Sequence, residues 1–442
     1  MTTPIYDFVK NYADSGVSRF HMPGHKGAGP LGIESLDITE IKGADVLGEA
    51  EGIIGESEDN ASRLFGTAHT FYSTEGSTLA IKTMLAVSCA GIERPTVLAA
   101  RNAHKAFLSA AALLDIDIEW IYPDNFMHIT SCHISAKALE SAINKLDSLP
   151  CAVYITSPDY LGQTADVAEL SKVCHSHFLP LLVDNAHGAY LAFDDPSSHP
   201  IALGADMCCD SAHKTLPVLT GGAYLHVAKG ASEKYLPRVR EAASLFASTS
   251  PSYIILQSLD LCNSYLESKF KGELAICKAR VEAAKQYLRD RGFILLDSEP
   301  LKIVIDAAAS GYTGYELSEI LREEKIECEF ADGEFVVLMA SPQNTELDFE
   351  RLEDAFDKTS AKAPLKRSAE GLTPAIQKMS VRKAAFADKE LVSVGSALGR
   401  ICAETAISCP PAVPVAVCGE LITKNTVALL KRYGVERIKV VK

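Results

Sequence analysis

The feature that most constrains the fold is an alternation running through most of the 442 residues, in which short apolar, β-branched runs are followed by longer stretches with apolar residues at helical spacing. Strand-like runs span Thr96 to Ala100, Asp117 to Tyr122, Ala152 to Thr156, Leu179 to Val183 and Gly222 to Val227. Helix candidates Ser77 to Ser88, Ser135 to Leu146 and Val167 to His177 separate them. A strand that is apolar on both faces must be covered on both, and intervening helices supply that cover. The pattern therefore predicts an α/β fold around a mostly parallel sheet. At about 150 residues per domain, the length suggests roughly three units, two of which large α/β enzymes often fuse.

Beyond the sheet-forming region, Pro251 to Arg291 reads as one long or two consecutive helices, a natural bridge. Strand candidates Lys302 to Asp306 and Phe335 to Met339 flank the helix pattern Tyr315 to Glu324, and Thr345 to Lys358 continues as another helix, which predicts a smaller α/β unit. Thr359 to Pro374 reads as a solvated connection. The expected organisation is an N-terminal arm over 1–55, a large domain over 56–290, a small domain over 291–358, a connection over 359–375 and a C-terminal module over 376–442.

Charge and cysteine usage narrow the function classes. Fifty-seven acidic against 43 basic residues give a formal net charge of −14, which disfavours nucleic acid and anionic membranes and favours a cationic small molecule. No stretch approaches the ~18 uninterrupted apolar residues of a membrane helix. The first dozen residues lack a signal-peptide core, so a cytoplasmic location is expected. The 12 cysteines lack zinc-ribbon spacing and read as reduced, mostly buried thiols.

Two motif-like clusters carry little. Gly27, Gly29 and Gly32 have a dinucleotide-binding spacing, but Pro30 interrupts them and no strand precedes them. Cys174, His175 and His177 end a helix pattern, where cationic side chains favour the helix dipole, and no metal is expected there.

The informative constellation begins at the apolar run into Asp184, Asn185, Ala186, His187 and Gly188. Open α/β sheets bind ligands at the carboxyl ends of their strands, which is where Asp184 stands. A second apolar run ends in Cys208, Cys209 and Asp210, and Ser211, Ala212, His213 and Lys214 follow, with Gly221 and Gly222 shortly after. A lysine enclosed by protein beside an imidazole loses part of its preference for the charged form and can condense with a carbonyl. Pyridoxal 5'-phosphate supplies such a carbonyl, and it needs an acidic partner for its pyridine nitrogen, the role suited to Asp184. Its phosphate needs a helix start, and Gly76, Ser77 and Thr78 open a helix pattern directly after the strand-like His69 to Ser73.

At this point the chain resembles the bacterial ornithine/lysine/arginine decarboxylases, pyridoxal-phosphate enzymes of the aspartate-aminotransferase fold. The resemblance is carried by His21 to Gly27, the acidic and glycine-rich stretch to Ala61, Gly76 to Thr78, Asn102 to Lys105, Asp184 to His187, Ser211 to Lys214 with Thr215 to Gly221, and Pro410 to Glu420. It implies a large domain with a seven-stranded sheet, a smaller C-terminal α/β part, and decarboxylation of a basic amino acid for polyamine formation. It also implies a homodimer with active sites at the subunit interface, the loop of His21 and His25 lying at their rim.

Carried onto this chain, the resemblance makes Lys214 the amine that binds the cofactor's aldehyde, Asp184 the partner of the pyridine nitrogen, and His104 the imidazole stacked on its ring. Ser77, Thr78, Ser211 and His213 would surround the phosphate, Ala186 would pack the other ring face, and His187 would stand near the substrate. Lys214 or His213 would protonate Cα. The resemblance is expected to be to the short family members, without the N-terminal wing of the large ones, and the chain departs from the family pattern at Glu75, Cys409, Ala412 and Cys418. Acidic candidates for the substrate's distal charge are Asp45, Glu49, Glu75 and Glu420. The competing readings are another pyridoxal-phosphate reaction, transamination or a lyase step, and a non-catalytic regulatory protein that binds the cofactor.

Overall fold

The structure, a computed structural model, describes residues 1–123, 131–367, 371–407 and 413–442. Its principal sheet has seven strands: β1 (His69–Ser73), β2 (Thr96–Ala100), β3 (Asp117–Ile121), β4 (Ala152–Thr156), β5 (Leu181–Asp184), β6 (Met207–Asp210) and β7 (Ala223–Val227), in the spatial order β1-β7-β6-β5-β4-β2-β3. β5 and β6 are parallel, whereas β7 runs antiparallel to both of its neighbours, β1 and β6. The predicted α/β class is thus the observed one. β4, β5, β6 and β7 are almost wholly buried, as strands covered on both faces must be.

Element limits differ from the sequence reading by small amounts with local causes. β5 starts at Leu181 rather than Leu179 because Pro180 has no N–H to donate and pairs only through its carbonyl, which accepts from Val153 at 3.0 Å. The stretch predicted as one or two helices contains two, Tyr253–Tyr265 and Lys271–Asp290, joined without a break by a π-helical turn over Leu266–Phe270.

The chain divides into two compact units, each assembled from separated stretches. The first comprises Met1–Val97, Asp147–Ile155 and Val167–Lys271. The second comprises Leu98–Leu146, Thr156–Asp166 and Gly272–Lys442. The second holds a four-stranded antiparallel sheet of β8 (Leu295–Leu296), β9 (Lys302–Asp306), β10 (Phe330–Ala331) and β11 (Phe335–Met339), in the order β10-β11-β9-β8. Leu161, Val304, Phe335 and Val337 form part of its core. The helices Gly314–Glu323 and Glu346–Asp357 each start with a reciprocal cap, Thr313 with Glu316 and Thr345 with Asp348, which limits fraying of their first turns.

Candidate active site

Within the first unit, three connections converge. The first joins β1 to the helix Gly76–Cys89. Gly76 takes φ of +68°, and its N–H donates to the Gly221 carbonyl at 2.7 Å. The next amides, those of Ser77 and Thr78, fall in the first turn, where the N–H groups lack intrahelical acceptors and attract an anion. Ser211 Oγ donates to Ser77 Oγ at 2.9 Å, so two hydroxyls meet at this helix start, while Thr78 is exposed one residue on. Glu75 accepts the Ser248 N–H at 2.6 Å, which engages the carboxylate that departs from the family pattern.

The second connection leaves β5. Asp184 is 2 % exposed and accepts from Tyr154 Oη at 3.1 Å and from the Ala186 N–H at 3.2 Å, with Cys209 Sγ at 3.6 Å. A buried carboxylate needs such donors to replace the water it has lost. Ala186 and His187 follow, both buried.

The third connection is the return from β6 to β7. Antiparallel strands can be joined by a short loop, so this segment is held tightly at both ends. His213 donates its backbone N–H to the Gly222 carbonyl at 3.2 Å, and its Nδ1 lies 2.9 Å from the same oxygen. Gly221 has φ of +102°, and a Cβ there would come within 2.9 Å of the Thr74 carbonyl, so only glycine lets this loop lie against the first connection. Lys214 stands on the short helix Ala212–Thr215 with Nζ 3.0 Å from His187 Nε2.

Asp184, Ala186, His187, Ser211, His213, Lys214, Gly76, Ser77 and Thr78 therefore all belong to one unit, on connections tied to one another by the bonds just given. His104 belongs to the second unit, where it is exposed and caps the helix Lys105–Leu114, its Nδ1 accepting the Ala106 N–H at 3.2 Å. Glu420, a candidate for the substrate's distal charge, is 1 % exposed and pairs with the fully buried Arg101 through both oxygens, at 2.5 and 2.8 Å. Asp45 likewise accepts backbone N–H groups of Val46, Gly52 and Ile54, organising its own loop. Cys418 is buried in a core cluster of the second unit, and Cys409 and Ala412 lie outside the described residues.

Sequence reasoning did not single out Tyr154 and gave no role to Asn185 or Asp210. Tyr154 is one more apolar residue of a buried strand until β4 is set beside β5. Asp210 carried a visible signal, since it ends an apolar run just before a polar segment, as Asp184 does. A helix start with convergent hydroxyls, a buried and donor-bound carboxylate, and an amine against an imidazole make up the donor set that pyridoxal phosphate requires, so the residues present fit that cofactor.

Residues 3–305 match the model of the Orn/Lys/Arg decarboxylase major domain. The uncharacterized protein YaaO of Bacillus subtilis is 31% identical, the alignment covering 98% of this chain and 94% of that protein. An arginine decarboxylase of the same organism is 30% identical, covering 97% and 93%. Among solved structures, the Francisella novicida lysine decarboxylase LdcF superposes with a TM-score of 0.83 at 17% identity over 100% of this chain and 81% of that one, a likeness of fold. With the site geometry and the family match in agreement, the chain belongs to the Orn/Lys/Arg decarboxylases, a family of pyridoxal-phosphate-dependent carboxy-lyases.

Proposed function

We propose that this protein decarboxylates a basic L-amino acid, arginine ahead of lysine and ornithine, to the corresponding amine and CO₂ for polyamine formation. The observation that carries the reading is the contact of Lys214 Nζ with His187 Nε2, three residues beyond the buried Asp184. Arginine is favoured because one Bacillus subtilis relative aligned over nearly the whole chain is an arginine decarboxylase.

When bound, pyridoxal phosphate draws the electrons of the breaking Cα–carboxylate bond into its ring. Asp184, held by Tyr154 and the Ala186 N–H, would partner the ring nitrogen. Ser77 and Ser211, with the amides of the first helical turn, would hold the phosphate. His187 takes a proton from Lys214 Nζ, freeing the amine, and can return it. His213 is oriented by Gly222 and is the alternative donor of the proton that Cα receives.

The protein is read as a cytoplasmic homodimer. Phe20, Met22 and Leu31 are 96%, 69% and 79% exposed along the N-terminal arm, apolar surface that a second copy would cover. Incubation with arginine, lysine and ornithine, assaying CO₂ and amine together, tests the function. Amine with stoichiometric CO₂ supports it, and a keto acid product or no turnover with any of the three refutes it.

A further inference from the structure

Asp210 ends β6 one residue before Ser211–Lys214 and is fully buried, yet the chemistry above does not use it. Both of its oxygens are engaged. Oδ1 accepts the Asn185 side-chain amide at 2.7 Å, and Oδ2 faces Nε2 of His199 at 3.0 Å and Nε2 of His226 at 3.1 Å. The Ile201 N–H reaches His199 Nδ1 at 3.4 Å, which leaves that ring's proton on Nε2, pointing at Asp210. Thr70 Oγ1 lies 2.9 Å from His226 Nδ1 and can donate to it, so the second ring presents Nε2–H in the same way. Burial would push this carboxyl up, but the two histidines outweigh it and hold the group well below the usual carboxylate range.

What the carboxylate joins is a pair of turns. Asn185 begins the turn that carries His187: its carbonyl accepts the Gly188 N–H at 2.8 Å, and a Cβ on Gly188 would come within 2.1 Å of Asn185 Oδ1. Asp210 itself begins the turn that carries Lys214. Beside the backbone bond from Asn185 N–H to the Cys209 carbonyl at 2.9 Å, the Asn185–Asp210 contact ties these turns side chain to side chain. We propose that Asp210 is a positioning residue that, anchored by His199 and His226 and acting through Asn185, keeps the His187 turn in register with the Lys214 turn.

The catalytic consequence rests on the function proposed above; the tie itself does not. Cys208 Sγ lies 3.7 Å from His199 Nε2 and 3.9 Å from Asp210 Oδ1, so the same residues also offer the donor types of a transition-metal site. The proton placed on His199 Nε2 by Ile201 favours hydrogen bonding, and metal content becomes an outcome of the test.

The test is Asn185→Ala, which removes the tie and leaves Asp210 with both imidazoles, measured as the cofactor-loaded protein and as the apoprotein. Amide exchange over 185–188 and 211–214 should quicken by about tenfold in both forms. In the loaded protein, kcat should fall by roughly tenfold to a hundredfold with little change in KM, and the bound chromophore's absorption band should shift. Asp210→Asn should stay near the parent in band and kcat, because its amide can meet a turned-over Asn185 while its carbonyl faces the imidazoles. Should Asn185→Ala not fold, Asn185→Ser is expected to give the same pattern. Unchanged exchange in Asn185→Ala overturns the proposal, as does an Asp210→Asn variant impaired as deeply as Asn185→Ala. One transition-metal ion per chain, lost in Cys208→Ala, also overturns it. A protein that binds no pyridoxal phosphate would instead refute the proposed function, leaving the exchange measurement to decide this inference.

Discussion

Lys214 Nζ and His187 Nε2 meet at 3.0 Å although they are 27 positions apart and leave different strands. The contact arises because β5 and β6 are parallel neighbours, Asp184 paired with Cys209, so the segments leaving their carboxyl ends emerge together. An amine held against an imidazole in a half-buried site can pass its proton without releasing it to bulk water.

That pairing makes Lys214 the first residue to remove. Lys214→Ala should retain its fold, lose the covalent chromophore on reconstitution, and lose at least about a thousandfold in turnover. Absorbance spectra and CO₂ release check both halves, and undiminished activity would take Lys214 out of the mechanism.

Asp184→Asn keeps the shape and the Tyr154 contact but removes the negative charge from the strand end. Turnover should fall by roughly 10²- to 10⁴-fold with little loss of substrate affinity. Steady-state kinetics with the best substrate of the panel measure it; a KM effect with kcat preserved would assign Asp184 a binding role only.

Arg101 and Glu420 form a buried, two-pronged ion pair in the second unit, with Arg101 also 4.7 Å over the Trp120 ring. Removing one partner strands the other's charge away from water, so Glu420→Ala should destabilise the fold by about 3–5 kcal/mol. The double change Arg101→Met with Glu420→Leu should cost less than Glu420→Ala alone, as denaturant titration would read directly.

Acidification should weaken the fold through Asp210 and His226. Burial alone would raise Asp210, but His199 and His226 depress it, so its stabilisation is complete above its unfolded value near 3.9 and is lost as pH falls towards the depressed folded value. Burial lowers His226, so the unfolded chain takes up that proton first and the folded state loses ground below about pH 6.5. Both act in one direction, His226 below about pH 6.5 and Asp210 below about pH 4, so Tm should fall steadily from about pH 7 to about pH 2.5. Asp210→Asn should flatten the most acidic part of the fall and keep the part due to histidine. Calorimetry across that range gives the curve, and a Tm that rises on acidification would contradict the assignment.

Much of this protein could be read along the chain. β2, β4, β9 and β11 coincide with their apolar runs, because a strand buried on both faces carries its signature in consecutive residues. Asp184 and Lys214 stood out for a related reason: a carboxylate or an amine directly after such a run sits where a sheet binds its ligands. The strand order was not legible, and everything that depends on it stayed hidden. Tyr154 donates to Asp184, and Asn185, His199 and His226 gather on Asp210, only because β4, β5, β6 and β7 lie in the reverse of their chain order. Arg101 meets Glu420 across 319 positions. Local periodicity determines which residues are buried and where strands end, since those depend on near neighbours. Which polar groups then satisfy one another is decided by long-range packing, because each must find a hydrogen-bond partner among whatever the fold brings within about 3 Å.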